Sequence, residues 1–224
     1  MSRRRVVITA GPTREYIDPV RYLSNESSGR MGFELARAAA EAGDDVVLIA
    51  GPVHLETPPG VRRVDVVSAR DMHAATRDAF LGAPGRSAKH FGKRGADVLF
   101  MAAAVGDWRP KRRRSGKWRE KDSGTESASL ELTKNPDIVA DVARRKGPRL
   151  VVCFALETAD GLRRARRKRI KKGADFVVLN DQSALGADRT HVTILGPDGV
   201  VDELAGVSKA AVARRLLALE NPDD

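Results

Sequence analysis

Arginines and small polar residues in an early stretch of the chain are suited to binding an anion. Arg14, Arg21 and Arg30 lie in a stretch that follows an apolar run, residues 6–10, and ends in Ser27-Ser-Gly-Arg-Met-Gly32, just before a helical pattern at 33–42. Arginine holds a phosphate or carboxylate through two hydrogen bonds. Serine caps helices, glycine lets backbone approach a ligand, and the first turn of a helix offers unpaired N–H groups. The stretch therefore predicts an anion site, with an ordinary capped helix as the alternative.

The ends of two predicted strands add further candidates. Gly11 and Pro12 force a turn after the first apolar run, and ligands of open α/β sheets lie outside the carboxyl ends of the strands. The apolar run at 97–102 ends in Ala103-Ala-Val-Gly-Asp107, where small residues leave room for a ring or a phosphate. Asp107 could hold a metal ion or accept a hydrogen bond from a sugar or base. The alternative is a solvent-facing aspartate in a turn.

Two basic runs point to the same kind of ligand. Seven of the eleven residues from Lys111 to Lys121 are basic, as are eight of the ten from 163 to 172. Lys168 and Lys172 are four residues apart and share one helix face, where like charges repel unless an anion lies between them. A flexible basic loop is also suited to closing over a triphosphate. The alternative for both runs is a solvated surface.

Two other short segments carry candidates with ordinary structural explanations. Asn135-Pro-Asp-Ile138 reads as a helix start, with Asn135 as the cap and Pro136 at the first helical position. Phe154, near the end of an apolar run, either packs on a base or fills the core. Cys153 beside it has no motif-linked base, so it is predicted to be a buried, inert thiol.

Apolar runs and helical patterns alternate along the chain. Strands are expected at 6–10, 45–50, 61–67, 97–102, 150–155 and 176–179, with a hairpin of 192–195 and 200–201; helices are expected at 33–42, 69–81, 136–147, 159–172 and 207–219. This pattern predicts an α/β fold, a Rossmann-like, mostly parallel sheet with helices on both faces. Residues 109–134 are too long for a connection and are expected to form a projecting flap or lid. We treat residues 1–224 as one domain.

The amino-acid composition of the chain favours some classes of function and argues against others. The net charge is +10 and aromatic residues make up 4% of the chain. The charge favours nucleic acid or small polyanionic substrates, and the scarcity of aromatics argues against a stacking platform for single strands. A single cysteine excludes an intramolecular disulfide and zinc-finger spacing, and it suggests a reducing, cytoplasmic location. No apolar run approaches the ~18 residues of a membrane helix.

The amino-acid sequences of these motifs resemble those of the phosphopantothenate–cysteine ligase family. The resemblance rests on Ile8-Thr-Ala-Gly-Pro-Thr-Arg-Glu15, Asp18-Pro-Val-Arg21, Ser24-Asn25 before Ser27-Ser-Gly-Arg-Met-Gly32, Ala103-Ala-Val-Gly-Asp-Trp-Arg-Pro110, Asn135-Pro-Asp-Ile138, Phe154-Ala-Leu-Glu-Thr158 and the Lys168/Lys172 pair before Gly173-Ala-Asp175. It extends from Val7 to about Leu195. The sequence departs from the family at Cys153, where glycine is usual, and at Lys117-Trp-Arg-Glu120, where the family has Lys-Ile-Lys-Lys.

The resemblance implies a role for each motif. Arg21 and Asn25 would act on an acyl intermediate, and Lys117, ten residues after Asp107, would stabilise charge on the phosphates as the third catalytic residue. The nucleotide would be bound by Gly11, Ala103, Asp107, Lys117, Asn135, Pro136, Asp137, Ile138, Phe154, Lys168 and Lys172. Asp107 would also be the metal ligand, for Mg²⁺. Asn180 and Asp181 would border the site.

The implied reaction joins 4′-phosphopantothenate to L-cysteine in coenzyme A biosynthesis. CTP would activate the carboxylate as an acyl-cytidylate, releasing pyrophosphate, and the cysteine amine would then displace CMP. The resemblance also implies a homodimer, with the flap and the first long loop near the partner subunit. A separate flavin-dependent decarboxylase is a further expected partner; a membrane or nucleic acid is not.

Two other functions fit the composition or the fold class. A dinucleotide-dependent oxidoreductase should show G-x-G-x-x-G after the first strand and an acidic residue at the end of the second. Here the first turn reads Ala10-Gly-Pro-Thr13 and the second strand ends in Ala50-Gly51. A nucleic-acid-binding module would explain the two basic runs, and steep salt-dependent retention on DNA or RNA would support it.

Overall fold

An eight-stranded sheet forms the centre of the computed structural model, which describes residues 3–82, 91–119, 127–157, 160–180, 189–220 and 222. Its strands are β1 (Arg5–Ala10), β4 (Asp45–Ala50), β5 (Val61–Asp65), β6 (Val98–Met101), β9 (Leu150–Leu156), β10 (Phe176–Asn180), β11 (Arg189–Gly196) and β12 (Gly199–Ser208). They are arranged in the order β12-β11-β10-β9-β6-β1-β4-β5. Among the described residues, four shorter strands lie outside this sheet: β2 (Arg14–Tyr16), β3 (Tyr22–Ser24), β7 (Trp108–Pro110) and β8 (Leu132–Lys134).

Within the described ranges, five α-helices cover the two faces of the sheet. They are α1 (Arg30–Glu41), α2 (Ala69–Leu81), α3 (Ile138–Ala143), α4 (Gly161–Lys172) and α5 (Lys209–Leu217). Side chains of a strand alternate between faces, so Val6 and Ile8 pack with α1 and α5, whereas Val7 packs with α2, α3 and α4. Both cores are built from buried aliphatic residues, and burial of such strands on both sides is typical of parallel sheets. The predicted α/β class with helices on both faces is confirmed.

The parallel strands set the position of any ligand site. β5, β4, β1, β6, β9 and β10 run parallel, and β11 and β12 continue the sheet antiparallel. The carboxyl ends of β1, β6, β9 and β10 therefore meet at one edge of the sheet. The end of β12 reaches the same edge, because β12 is antiparallel to β11 and so points in the direction of β10.

Two small strand pairs project beside this edge. β2 pairs with β3 inside the first long loop, and β7 pairs with β8 at the base of the predicted flap. A bridge between Pro12 and Ala104 ties the loops that follow β1 and β6. The predicted flap around 109–134 thus includes a strand pair outside the main sheet, while its residues 120–126 lie outside the described residues.

Several predicted boundaries were wrong for identifiable reasons. Helix α1 begins at Arg30, and its N-cap is Gly29 at φ 77°, a left-handed conformation that glycine adopts without strain. The predicted caps Ser27 and Ser28 do not take that position, and Ser27 Oγ instead accepts a hydrogen bond from the Gly29 N–H at 3.3 Å. Helix α3 is capped by Asp137, not Asn135, because the Asp137 carboxylate accepts from the Ala140 N–H at 3.1 Å.

The C-terminal hairpin is longer than its apolar pattern indicated. β12 runs over ten residues to Ser208, so α5 begins at Lys209 and not at Val207. The side chain of Ser208 accepts from the Ala211 N–H at 3.2 Å and fixes that start. Over the described ranges, the structure has no helix long and apolar enough to cross a bilayer.

Candidate functional site

Two adjoining cavities lie at the carboxyl edge of the sheet. One has a volume of about 690 Å³ and the other about 400 Å³. The larger one, which we call the α1 cavity, includes the start of α1 and of α5 in its wall; the smaller one, the α4 cavity, includes the start of α3 and the end of α4. They share a wall made of Ala103, Val105, Asp107, Phe154 and Lys168. One elongated site therefore crosses the sheet edge over the ends of β6 and β9.

The α1 cavity contains most of the first motif. It is lined by every residue from Ser24 to Gly32, including Asn25 and Arg30, and from the C-terminal half of the chain by Asn180, Thr190 and Lys209. Gly32 must lack a side chain, because a Cβ there would lie 2.5 Å from the Cβ of Ala10. This close approach of α1 to β1 places the first turn of the helix at the cavity.

The α4 cavity contains the third motif and the lysine pair. Its lining includes Asn135, Pro136, Asp137, Ile138 and Lys172, together with Lys134 and Lys171. Helix α4 ends with basic residues in its last turn, which the negative end of the helix dipole favours. The cluster of cations beside small residues fits an anionic ligand.

The shared wall is held by side chains from three separate segments. The Gly106 N–H donates to Thr13 Oγ1 at 3.0 Å, Asn25 Nδ2 donates to the Val105 carbonyl at 3.1 Å, and Asn135 Nδ2 donates to the Gly106 carbonyl at 2.8 Å. The Asn135 N–H donates to the Asp107 carbonyl at 2.8 Å. These bonds fix the shape of the segment 103–107.

The two predicted nucleotide lysines have partners within the protein. Lys168 Nζ donates to the Phe154 carbonyl at 2.7 Å, and Lys172 Nζ lies 2.5 Å from Asp137 Oδ2. Both lysines line the α4 cavity, so they lie on the same side of α4. A phosphate entering the cavity would compete with, or add to, these contacts.

Asp107 is exposed on the wall that both cavities share. Within the part of the chain that the structure describes, its carboxylate makes no hydrogen bond or ion pair, and no group of three or more metal-ligating side chains occurs. Mg²⁺ in phosphate-binding sites uses one or two carboxylates and takes its remaining ligands from phosphates and water. A single unpaired carboxylate fits that mode of binding.

Three predicted site residues do not line either cavity as the described residues define them: Gly11, Arg21 and Lys117. Gly11 has φ 76°, and a Cβ there would lie 2.9 Å from Val53 Cγ1. Its carbonyl accepts from the Ala104 N–H at 2.9 Å, so it joins the β1 and β6 loops. Arg21 lies 3.6 Å from the buried Asp18 carboxylate, and Lys117 is solvent-exposed on the flap.

The described part of the flap is attached to the first loop. The Arg114 N–H donates to the Ile17 carbonyl at 2.8 Å, and the Trp118 N–H donates to Asp18 Oδ2 at 3.1 Å. Burial alone would raise the pKa of Asp18, but the N–H groups of Val20, Trp118 and Arg21 and the Arg21 charge outweigh it, and the pKa is lowered. Asp18 therefore stays ionised and connects the flap to the loop that carries Arg21 and Asn25.

Sequence reasoning did not select three residues that the structure places at the site. Thr13 belongs to the first motif, and its hydrogen bond to Gly106 depends on a loop 93 residues away. Thr190 and Lys209 occur in no motif, and only the antiparallel strands β11 and β12 bring them to the ligand edge. Cys153 behaves as predicted: it is buried, and burial raises the pKa of its thiol to about 11.

Comparison with known proteins shows the family of this chain. Residues 1–220 match the model of the DNA/pantothenate metabolism flavoprotein C-terminal domain. The chain is 45% identical to the coenzyme A biosynthesis bifunctional protein CoaBC of Vibrio cholerae over 82% of its own length and 43% of that protein. It is 39% identical to CoaBC of Bacillus subtilis over 96% of its length and 50% of that protein. The chain spans about half the length of these relatives.

Solved structures agree with this match. The C-terminal domain of a CoaBC protein superposes with a TM-score of 0.76 at 36% identity, covering 96% of this chain and 92% of that domain. A Cab2 mutant in complex with phosphopantothenate-cysteine superposes with a TM-score of 0.69 at 15% identity, covering 96% of this chain and 84% of that one. At that identity the second comparison shows the fold alone.

Proposed function

The chain belongs to the DNA/pantothenate metabolism flavoprotein C-terminal domain family, and from this premise we propose that it is a phosphopantothenate–cysteine ligase that uses CTP. The observation that carries the proposal is the pair of cavities that meet at residues 103–107. A ligase of this kind must hold an acyl donor and a nucleotide with the carboxylate of one against the α-phosphorus of the other. Two cavities with one common wall provide that arrangement.

We assign the nucleotide to the α4 cavity. Lys168 and Lys172 supply positive charge there, and Asn135–Ile138 form the wall opposite α4. We assign 4′-phosphopantothenate to the α1 cavity, whose volume of about 690 Å³ is within the usual range for ligand sites. Lys168 lines both cavities and is placed to contact the group that is transferred between them.

The reaction proceeds in two balanced steps. A carboxylate oxygen of 4′-phosphopantothenate attacks the α-phosphorus of CTP and expels pyrophosphate, which gives an acyl-cytidylate. The cysteine amine then attacks the acyl carbon, loses a proton and expels CMP. Charge accumulates on phosphate oxygens in both steps, so preorganised cations lower both barriers. Mg²⁺ held at Asp107 would supply further charge neutralisation to the phosphates.

The predicted catalytic residues divide into two groups. Asn25 lies at the shared wall with its amide on the Val105 carbonyl, where it can orient the acyl group. Arg21 and Lys117 lie outside the cavity lining, and their assignment rests on the motif and on spacing from Asp107. We infer that the flap, attached at Asp18, must move over the nucleotide for Lys117 to reach a phosphate.

Pyrophosphate release tests the reaction. Purified protein is given 4′-phosphopantothenate and Mg²⁺ with CTP or ATP, with and without cysteine, and the product is identified by mass. Cysteine-dependent turnover with CTP supports the proposal in full. Turnover with ATP alone would retain the ligase and overturn the nucleotide. No turnover with either nucleotide would contradict the ligase, and salt-dependent retention on DNA would then test the nucleic-acid alternative.

We also propose a homodimer and a separate decarboxylase partner. Tyr22 and Trp108 are exposed, at 40% and 47%, on the two small strand pairs, and exposed aromatics are enriched in interfaces. A single monomeric species in sedimentation at assay concentration would contradict the dimer.

The matched relatives are called bifunctional and are about twice as long as this chain. This supports a decarboxylase that acts on the product of the ligase. A reducing, cytoplasmic location rests on cysteine usage alone.

A further inference from the structure

The outer side of helix α4 carries basic residues that the nucleotide assignment does not use. Of the basic run 163–172, only Lys168 and Lys172 are assigned to the nucleotide. Arg166, Arg167 and Lys171 are exposed, and none of the three forms an ion pair with a described residue. Like charges at neighbouring positions of one helix repel one another. A negatively charged partner at this surface would relieve that repulsion.

A groove of about 620 Å³ lies between this side of α4 and the turn that joins β11 to β12, and we call it the hairpin groove. Its apolar side chains are Leu162 and Ile170 of α4, Leu195 of β11 and Val200 of β12. Leu195 is buried in the core, whereas Ile170 is 67% exposed and Leu162 and Val200 are half exposed. Exposed aliphatic side chains that are grouped around one concave surface and rimmed by charges mark an interaction site.

The helical period arranges the α4 wall of the hairpin groove in two rows. Leu162, Arg166 and Ile170 are four residues apart, so they follow one another along α4 over about 12 Å. The next row contains Arg167 and Lys171. An apolar strip therefore lies beside a strip of positive charge. A helix with Leu or Ile at every fourth position and Asp or Glu beside them is complementary to both strips.

Other anionic macromolecules are less complementary to the hairpin groove. No aromatic side chain occurs among the described residues that line it, so nucleic-acid bases have no ring on which to stack. A lipid surface is flat on this scale, whereas apolar side chains lie on both walls of the groove, on Ile170 and on Val200. A helix is about 10 Å wide and can place its side chains between the two walls.

We propose that the hairpin groove is a docking site for an acidic amphipathic helix of a partner protein. Leu or Ile side chains of that helix pack between Leu162, Ile170 and Val200, and its carboxylates pair with Arg166 and Arg167. Lys171 lines both the hairpin groove and the α4 cavity, so the docked helix lies next to the nucleotide site. The proposal does not depend on the ligase reaction, because it concerns a surface outside the site.

Fluorescence anisotropy tests the site with a labelled helical peptide of about 15 residues that has Leu at every fourth position and Glu at most others. We expect Ile170→Ser to weaken binding of this peptide about ten-fold, because a buried aliphatic contact is lost. Arg166→Glu should weaken it by a similar factor, and more at low salt. Leu132→Ser on β8 and Arg214→Glu on α5 change exposed residues outside the groove. These two matched controls should bind the peptide within about two-fold of wild type.

Weaker binding in both groove variants and in neither control supports the docking site. Equal losses in Arg166→Glu and Arg214→Glu would show a general attraction to the basic chain and would overturn it. Unchanged binding in Ile170→Ser, or equal binding of a peptide with Ser in place of Leu, would overturn it as well. Duplex DNA and phosphatidylglycerol vesicles are compared in the same way, and tighter binding of either that depends on both groove residues would replace the helix as the occupant. Thermal unfolding of each variant shows whether a loss reflects misfolding, in which case Ile170→Ala and Arg166→Met take its place.

Discussion

The hydrogen bond from Gly106 to Thr13 predicts how strongly the shared wall depends on the first loop. Thr13 is fully buried, and its Oγ1 accepts from the Gly106 N–H at 3.0 Å. Thr13→Val keeps the shape and removes the acceptor, leaving a part-buried N–H unpaired at a cost of about 1–3 kcal/mol. Taking about 1.5 kcal/mol, the melting temperature should fall by about 3–6 °C for a domain of this size.

Thr76→Val is the matched control for this effect. Thr76 is also fully buried, but its hydroxyl makes no hydrogen bond to any described residue. The same substitution there should leave stability unchanged or raise it by up to about 1 kcal/mol. Urea unfolding measures the free energy of both variants, and pyrophosphate release measures activity, which should fall only for Thr13→Val. Equal effects of the two substitutions would refute the role given to this hydrogen bond.

Three further predictions follow from the charges and burial of individual residues. Lys172→Met should raise the KM for the nucleotide about ten-fold without changing the KM for 4′-phosphopantothenate, whereas the exposed Arg167→Met should change neither; equal effects would remove Lys172 from the nucleotide site. Cys153 should react with iodoacetamide at pH 8 far more slowly in native than in urea-unfolded protein, because burial raises its pKa to about 11; equal rates would contradict its burial. The folded-state pKa of Asp18 is lowered, so the stability it supplies is present above its unfolded pKa and lost as the pH falls through the folded one. Asp18→Asn should therefore destabilise the protein at pH 7, and its deficit in unfolding free energy should shrink as the pH falls below about 3.9, the usual pKa of an aspartate; a deficit that stays constant with pH would contradict this.

The strands and helices that could be predicted from the sequence are those with a long apolar pattern. β1, β4, β6, β9 and β10 are runs of buried aliphatic residues between Gly, Pro or polar residues, and this signal is local. β2, β3 and β7 are three residues long and half polar, so no period is visible in them. β7 pairs with β8 across the flap residues 111–131, so that pairing depends on a contact between segments that are distant in the sequence.

The candidate site shows the same division between local and long-range information. Lys168 and Lys172 could be placed on one face of α4, because helical spacing alone decides it. The N-caps of α1 and α3 could not be predicted from the sequence, because Ser27, Gly29, Asn135 and Asp137 are all residue types that cap helices. Asn135 is used elsewhere, since its amide bonds the Gly106 carbonyl, and that choice depends on a turn 29 residues away.

The Asp107 carboxylate gives a final prediction, because it makes no bond among the described residues and yet lies where both cavities meet. A side chain without partners contributes little to stability, so Asp107→Asn should leave the melting temperature within about 1 °C. If the carboxylate binds Mg²⁺ beside the phosphates, the variant should need several-fold more Mg²⁺ for half-maximal pyrophosphate release. Asp65→Asn, an exposed carboxylate paired with Arg63 and outside both cavities, is the control and should keep the wild-type Mg²⁺ dependence. A large loss of stability in Asp107→Asn, or a fall in activity without any change in Mg²⁺ dependence, would show that the carboxylate has a structural or nucleotide-binding role instead.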